Sequence, residues 1–274
     1  MEQEQKNRMD AIRQGAENMR KLNLLSDTFA SVALQDIDAC QYVVRKILGR
    51  ADIRIIDVKS QYRLLNLTAK DAILDAFAQD STGRLVNIEI QRRDTKDHAR
   101  RTRYYGSMID KSVLDKGAEH KEFPDVYIIY ISETDLWHGG ETVYPVNKIL
   151  GKSAIPYDDG KHVIFVNAAV DDGSEVAKMM QYFKKADPDD MSQGELSERV
   201  RYLKTEKGGY KEMCEVAEKI YEQGIEQGIE QGEMQKAKNM AINMHKDGMA
   251  EDLIAKYANV SIDLVKNWIA LSLA

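Results

Sequence analysis

Two runs of the sequence are almost wholly apolar, and they constrain the fold more than any other feature. Residues 126–131 read Val-Tyr-Ile-Ile-Tyr-Ile, and residues 162–166 read His-Val-Ile-Phe-Val. Neither run alternates between apolar and polar residues, as a strand with one solvated face would. Strands without alternation are typical of the centre of a sheet that is covered on both faces. The sequence therefore predicts an α/β sandwich with these two strands in the middle.

The remaining elements follow from periodicity and turn residues. Apolar residues recur at steps of three and four over residues 27–48, and Gly49 follows, which predicts one amphipathic helix that ends there. The turn residues 80–83 predict a hairpin between the strands on either side of them. In chain order, strands are predicted at 53–58, 72–77 and 85–90. Helices are predicted at 95–116, 175–185, 193–207, 210–245, 250–257 and 261–271. Gly117 is expected to end the first of these helices, and Ser261 to cap the last.

These elements divide the chain into three predicted parts. Residues 1–24 form a polar N-terminal helix or arm that is loosely attached, residues 25–170 form the α/β core, and residues 171–274 form a helical C-terminal region. Inside the last part, Glu-Gln-Gly-Ile repeats place glycines at 224, 228 and 232. Two interpretations of the repeat stay open. One is a solvated helix or linker, and the other is a close helix–helix contact that makes a homo-oligomer.

Composition and motifs exclude several classes of protein. The net charge of −6 argues against a protein that coats nucleic acid by bulk attraction. Cys40 and Cys214 lie far apart with no second pair of cysteines, so they form neither a CxxC-type zinc site nor a disulfide framework, and no apolar run is long enough to span a membrane. Zinc-hydrolase, nucleotide-loop and serine-elbow motifs are absent. We therefore expect a cytoplasmic protein without membrane contact, in which Trp137 and Trp268 are packing residues.

The predicted hairpin carries the candidate site. In its second strand Asn87, Glu89 and Gln91 point to one side, because side chains alternate along a strand. If Asp75 of the first strand pairs onto the same face, two carboxylates and an amide converge. Such oxygen ligands suit Mg²⁺, whose bound water can be activated for attack on phosphorus. The alternative interpretation is the solvated side of a half-exposed hairpin.

These residues, in this order, resemble the D…E-x-Q signature of the PD-(D/E)XK nuclease family transposases, also called recombination-promoting nucleases. The likeness extends to Arg103-Tyr-Tyr105, to residues 125–131 and to the Glu-Gln-Gly-Ile repeats. It implies a restriction-endonuclease-like core followed by a helical C-terminal region. It also implies a metal-dependent DNA endonuclease associated with transposition or recombination, with Mg²⁺ as cofactor and Mn²⁺ as the alternative ion.

The resemblance also implies roles for individual residues. Asp75 and Glu89 would hold the metal with the backbone carbonyl of Ile90, and Gln91 would join both carboxylates as a catalytic residue. The wider superfamily has lysine where this chain has Gln91, and a glutamine can act only through hydrogen bonds. An acidic residue of the first core helix often supports the metal in related folds, and here either Asp27 or Asp36 qualifies. A catalytically weak or inactive DNA-binding and assembly protein that keeps the fold is the alternative function, and a purely structural interaction protein is the third.

A basic patch follows the hairpin. Residues 92–103 hold six basic and two acidic residues, a local charge of +4. Arg100, Arg101 and Arg103 are spaced to bind DNA phosphates, while Tyr104 offers a stacking surface or a hydroxyl, as does its neighbour Tyr105. The alternative is a solvated helix face with one tyrosine in the core.

Overall fold

A computed structural model of the chain describes residues 2–65, 71–113 and 119–273. The strands are β1 (Ile55–Leu64), β2 (Ala72–Asp80), β3 (Leu85–Gln91), β4 (Val126–Ser132), β5 (Val143–Pro145), β6 (Ile149–Leu150), β7 (Ile155–Pro156) and β8 (Lys161–Asn167). The α-helices are α1 (Glu2–Arg20), α2 (Asp27–Leu34), α3 (Ile37–Leu48), α4 (His98–Val113), α5 (Glu175–Lys185), α6 (Gly194–Thr205), α7 (Lys207–Lys246), α8 (Glu251–Ala258) and α9 (Ile262–Leu273).

Six of these strands form one mixed sheet in the order β1-β2-β3-β4-β8-β5. The strands β1, β2 and β3 are antiparallel, β3, β4 and β8 are parallel, and β5 runs antiparallel to β8. The two apolar runs lie in β4 and β8, inside the sheet, and every residue of β4 is buried. The predicted hairpin is also confirmed, because β2 and β3 pair across the turn. The predicted central strands are therefore correct.

Helices cover both faces of this sheet. On one face, Met108 and Ile109 of α4 pack with Leu85 and Ile128. On the other face, Ile88 is fully buried, and α2 lies against β2 and β3. A further layer forms where α5 and α6 pack against α3. The expected α/β sandwich is confirmed. In it, the hairpin of β2 and β3 lies between α2 on one face and α4 on the other.

The predicted helix over residues 27–48 is wrong in one respect, because the structure divides it into α2 and α3. Asp36 has an extended backbone, with φ −70° and ψ 127°, and its carboxylate accepts a hydrogen bond from the N–H of Ala39 at 2.9 Å. An aspartate at an N-cap satisfies a free N–H group of the helix that follows. The apolar periodicity continues through the break, so it could not reveal it.

The N-terminal helix is present as α1, but the expectation of loose attachment is wrong. Ala16 is fully buried and Met19 is nearly so. The guanidinium Nε of Arg20 donates a hydrogen bond to the carbonyl of Lys204 at 2.9 Å. A few apolar residues in a charged segment are enough to dock it, which its polar composition concealed.

Contacts among the described residues divide the chain into two compact units, Met1–Cys214 and Glu215–Ala274. The second unit has its own core, in which Ala241, Ile254 and Trp268 are buried. Trp268 is thus packed as predicted, whereas Trp137 keeps 48% of its surface exposed. The hydroxyl of Ser261 accepts a hydrogen bond from the N–H of Leu264, as expected of a cap.

The three-part division made from the sequence stays a prediction about domain organisation. The proposed stop at Gly117 lies outside the described residues. Over the part of the chain that the structure describes, no helix is both long and apolar enough to cross a membrane.

Candidate active site

The polar face of the hairpin lies where β2 and β3 separate, and we call this point the fork. Paired residues run from Gln79 and Leu85 to Ala76 and Ile88, where the ladder ends. Beyond it, the N–H of Ile90 donates to a carboxylate oxygen of Asp75 at 2.9 Å. Directly paired residues share a face of the sheet, and side chains alternate along each strand. Asp75 and Glu89 therefore meet on one face at the fork.

Glu89 lies in the interior, with 5% of its surface exposed. The amide nitrogen of the fully buried Asn87 donates to its carboxylate at 2.9 Å. The amide oxygen of Asn87 is also buried, and it has no hydrogen-bond partner among the residues that the structure describes. An unpaired buried carbonyl oxygen and two carboxylates together present several oxygen acceptors to one ligand. This donor set suits a hard cation.

Burial changes the acidity of both carboxyl groups. It raises the pKa of Asp75 from 3.8 to about 6, while the hydrogen bond from Ile90 opposes the change and the charge of Asp27 adds to it. Burial also raises the pKa of Glu89 well above its usual 4.5, and the charge of Asp75 adds to that rise. Buried carboxylates that repel each other are characteristic of functional sites.

The structure separates the two acidic residues that the sequence left as alternatives. Asp27 is the first residue of α2, and its charge raises the pKa of Asp75, so it lies within electrostatic range of the fork. The carboxylate of Asp36 instead caps α3 through the N–H of Ala39. Of the two, Asp27 is the one whose charge acts on the candidate site.

Gln91 is bound by Arg101. A guanidinium nitrogen of Arg101 donates to the amide oxygen of Gln91 at 2.8 Å. Because arginine has donors only, the amide oxygen must face it, and the NH₂ group of Gln91 is left to donate elsewhere. The charge of Arg101 also opposes the raised pKa of Asp75 and of Glu89. No sequence spacing signals this contact, because it joins a strand to the helix that follows.

The other residues of the basic patch are distributed unevenly around α4. Arg100, Arg101, Tyr104 and Tyr105 line a cleft of about 380 Å³, together with Asp71, Ile73 and Asp97. Arg103 is exposed and is not among the described residues that line the cleft. The two tyrosines also pack on the core beneath α4. Three of the four predicted DNA-binding residues thus share one cleft.

Tyr130 and His98 also belong to the site, although the sequence did not indicate either of them. Tyr130 pairs with Glu89 in the parallel ladder and so shares its face. The Tyr130 hydroxyl lies 2.9 Å from Nδ1 of the buried His98, whose Nε2 lies 2.8 Å from a carboxylate oxygen of Asp94. With a neutral imidazole, Nε2–H donates to Asp94, and Nδ1 accepts from Tyr130. Only the strand register reveals that Tyr130 stands beside Glu89.

Gln61 is the third residue that the sequence did not indicate. It lies opposite Asp75 in β1, where the regular pairing of β1 with β2 omits this one pair. Its φ of +49° is in the left-handed region, which is uncommon for a residue with a side chain. Its amide donates to the second carboxylate oxygen of Asp75 at 3.3 Å. Backbone strain of this kind is typical of functional sites.

The residues at the fork fit a divalent ion as part of its ligand set. Among the described residues, no three or more His, Cys, Asp or Glu side chains are grouped to hold a metal. Mg²⁺ is usually bound by only one or two protein carboxylates, with water and substrate phosphate completing its shell. In a strand, the C=O and N–H of one residue point to the same edge, so the Ile90 carbonyl faces the Asp75 side of β3.

Comparison with known protein families matches residues 45–247 to the PD-(D/E)XK nuclease family transposases. The match covers well over half of the chain and includes the fork, Gln91 and α4. Comparisons with curated proteins and with solved structures give no match. The mixed sheet, with two carboxylates at the fork of its hairpin, agrees with the restriction-endonuclease-like fold of that family. The chain therefore belongs to the PD-(D/E)XK nuclease family transposases, a nuclease-fold family linked to transposition.

Proposed function

We propose that this chain is a metal-dependent DNA endonuclease that hydrolyses phosphodiester bonds in transposition or recombination. The observation that carries the proposal is the fork, where the half-buried carboxyl group of Asp75 and the buried carboxyl group of Glu89 meet on one face and both have raised pKa values. A purely structural hairpin gains nothing from burying two acids together, since each makes the other harder to ionise. Family membership supports the same function.

Asp75, Glu89 and the Ile90 carbonyl would hold the ion, Mg²⁺ or alternatively Mn²⁺. A bound ion of this type supplies an activated water and neutralises negative charge that develops on the phosphate. Gln61 and the Ile90 N–H each bond one oxygen of the Asp75 carboxylate, which orients that ligand. Asp27 adds negative charge nearby, and this favours a cation at the fork.

Gln91 and Arg101 together replace the lysine of the wider superfamily. The guanidinium of Arg101 provides a permanent positive charge next to the amide of Gln91, because its nitrogen lies 2.8 Å from the amide oxygen. The NH₂ group of Gln91, oriented by that contact, donates a hydrogen bond to the attacking water or to a phosphate oxygen. Arg101 thus supplies the positive charge and Gln91 the hydrogen bond. Together they stabilise an anionic transition state, which a glutamine alone could do only by hydrogen bonding.

DNA would enter along the cleft of α4. Arg100 offers its charge to a phosphate beside the cut, and Tyr104 offers its ring or hydroxyl. Assembly of a homo-oligomer through the C-terminal helices and a cytoplasmic location stay predictions.

The test is cleavage of supercoiled plasmid in Mg²⁺ or Mn²⁺. Asp75→Ala and Glu89→Ala should each abolish nicking, because each removes a ligand. Glu89 is buried and Asp75 half-buried, so circular dichroism must show that each variant is folded, and Asp75→Asn and Glu89→Gln, which keep the side-chain volume, should also be inactive. Asp57→Ala is the matched control, since Asp57 is an exposed acid of the same sheet, and it should cleave normally. Cleavage at the wild-type rate by a folded Asp75→Ala protein would refute the assignment.

A further inference from the structure

An exposed tryptophan stands on the same face of the sheet as the candidate active site. Glu89, Tyr130 and Phe165 are successive partners in β3, β4 and β8, so their side chains share that face. The ring of Phe165 lies 5.6 Å from the ring of Tyr130 and 5.1 Å from that of Trp137. Trp137 contacts Phe165 edge to face, and about half of its surface stays open to solvent.

Hydrogen bonds to the carboxylate of Asp135 stabilise the loop that carries Trp137. The carboxylate of Asp135 accepts hydrogen bonds from the backbone N–H groups of Trp137, His138 and Gly140 at 3.0 to 3.2 Å. It also accepts one from the hydroxyl of Tyr144 at 2.8 Å. None of these bonds uses the indole of Trp137. These bonds hold the loop backbone, and the edge-to-face contact with Phe165 supports the ring, so less entropy is lost when a ligand binds to it.

We propose that Trp137 is a stacking site for an unpaired nucleobase of the DNA substrate, on the path that leads to the carboxylates at the fork. This inference rests on the proposed nuclease function. Every base has a flat π-face, so an aromatic ring binds it without regard to sequence. Paired bases are covered by their neighbours, so the ring can stack only where a base is unpaired or a step is opened.

The position of the ring sets the distance from the cut. Phe165 lies two strands from Glu89, roughly 10 Å at the usual strand spacing, and Trp137 lies beyond it. One nucleotide of a strand spans about 3.4 Å. With the 5.1 Å between the rings of Phe165 and Trp137 added, the indole lies roughly 15 Å from Glu89, so the stacked base should be about four nucleotides from the scissile phosphate.

Charge distinguishes this contact from those of the arginines. The loop is acidic rather than basic, with Glu133, Asp135 and Glu141 near Trp137. Glu133 is paired with Arg92 at 3.0 Å, and Asp135 is engaged within the loop. Affinity gained here must come from stacking and not from phosphate neutralisation. Loss of the ring should weaken binding without changing its salt dependence.

The first experiment measures the fluorescence of Trp137. The chain has two tryptophans, and Trp268 is buried in the second unit, so Trp268→Phe leaves Trp137 as the sole indole. This protein is titrated in EDTA with a labelled duplex that is fully paired or carries two mismatched base pairs. We expect quenching of the tryptophan fluorescence, stronger with the mismatched duplex. Binding seen by anisotropy of the labelled DNA without any quenching would overturn the stacking site.

The second experiment compares Trp137→Ala with Trp137→Phe. The alanine variant should bind the mismatched duplex roughly tenfold more weakly, with an unchanged slope of log affinity against log salt, and phenylalanine should restore most of the loss. Arg100→Ala is the control for an ionic contact, and it should flatten the slope by about 0.9. Equal affinity of the alanine variant and wild type would also overturn the site.

The two experiments separate this inference from the function on which it rests. If plasmid cleavage and DNA binding depend on the fork and on Arg100 while Trp137 has no effect, only the stacking site is wrong. If the chain binds no DNA at all, both proposals are wrong.

Discussion

At the scale of single residues, the acidity of Asp75 links catalysis to stability. Its folded pKa of about 6 exceeds the 3.8 of an unperturbed carboxyl, so between these values the folded chain holds a proton that the unfolded chain has released. The contribution of Asp75 to stability without metal should therefore fall as the pH rises from about 4 to 6, and stay lower above that window. A bound cation would remove this penalty.

Asp75→Asn should separate the effect of this carboxyl group on cleavage from its effect on stability. In metal-free buffer at pH 7 the amide avoids the desolvated charge yet still accepts the hydrogen bond of Ile90, so the free energy of unfolding should rise by roughly 3 kcal/mol. Cleavage should be lost. Urea unfolding at pH 4 and pH 7 measures the change, with Asp57→Asn as an exposed control. An equal stability of wild type and Asp75→Asn at pH 7 would contradict the raised pKa.

The pair of Gln91 and Arg101 gives a second prediction for single residues. Arg101→Ala should lower the rate of cleavage roughly a hundredfold, because it removes the charge beside the reacting phosphate. In that background, Gln91→Lys should recover part of the rate, since it returns a cation to the same place. The measurement is single-turnover plasmid nicking, with Lys111→Ala as the control, since Lys111 is an exposed cation of the same helix and is not one of the predicted DNA-binding residues. A double variant no faster than Arg101→Ala would show that the charge is not shared in this way.

At the scale of elements, patterns along the chain predicted what depends on neighbours in sequence. The hairpin of β2 and β3 followed from alternation and a four-residue turn, and the central strands followed from their lack of alternation. What the patterns could not predict depends on contacts between distant elements. The bond of Arg101 to Gln91, the position of Tyr130 beside Glu89 and the strained backbone of Gln61 all arise from register and packing.

The break between α2 and α3 leads to a prediction about two acids. Asp36→Ala should lower the free energy of unfolding by about 1 kcal/mol through loss of the N-cap, with normal cleavage. Asp27→Ala should leave stability almost unchanged and raise the Mg²⁺ concentration needed for half-maximal cleavage. Thermal unfolding and a metal titration of nicking measure the two effects. The reverse pattern would make Asp36 the acid that assists the metal.

At the scale of the whole molecule, the candidate site lies entirely within the first compact unit. Truncation after Met213 should therefore leave a folded core, while removing most of α7 with its exposed Ile225 and Ile229. If the glycine repeat is a self-association surface, light scattering should show fewer copies per assembly than for the full chain. The same number of copies would identify the repeat as a linker to the terminal helices.

The glycines of α7 have a consequence for how the chain opens and is degraded. Around Gly224, Gly228 and Gly232, no heavy atom lies within 4 Å of the position that a Cβ would occupy, so the missing side chains create no close packing in the described chain. Each glycine costs about 1 kcal/mol of helix stability relative to alanine. Amide hydrogens in this stretch should therefore exchange with solvent sooner than those of the sheet, and a protease should cut there first. The cut would release the first compact unit, which carries the nuclease fold, from the C-terminal helices.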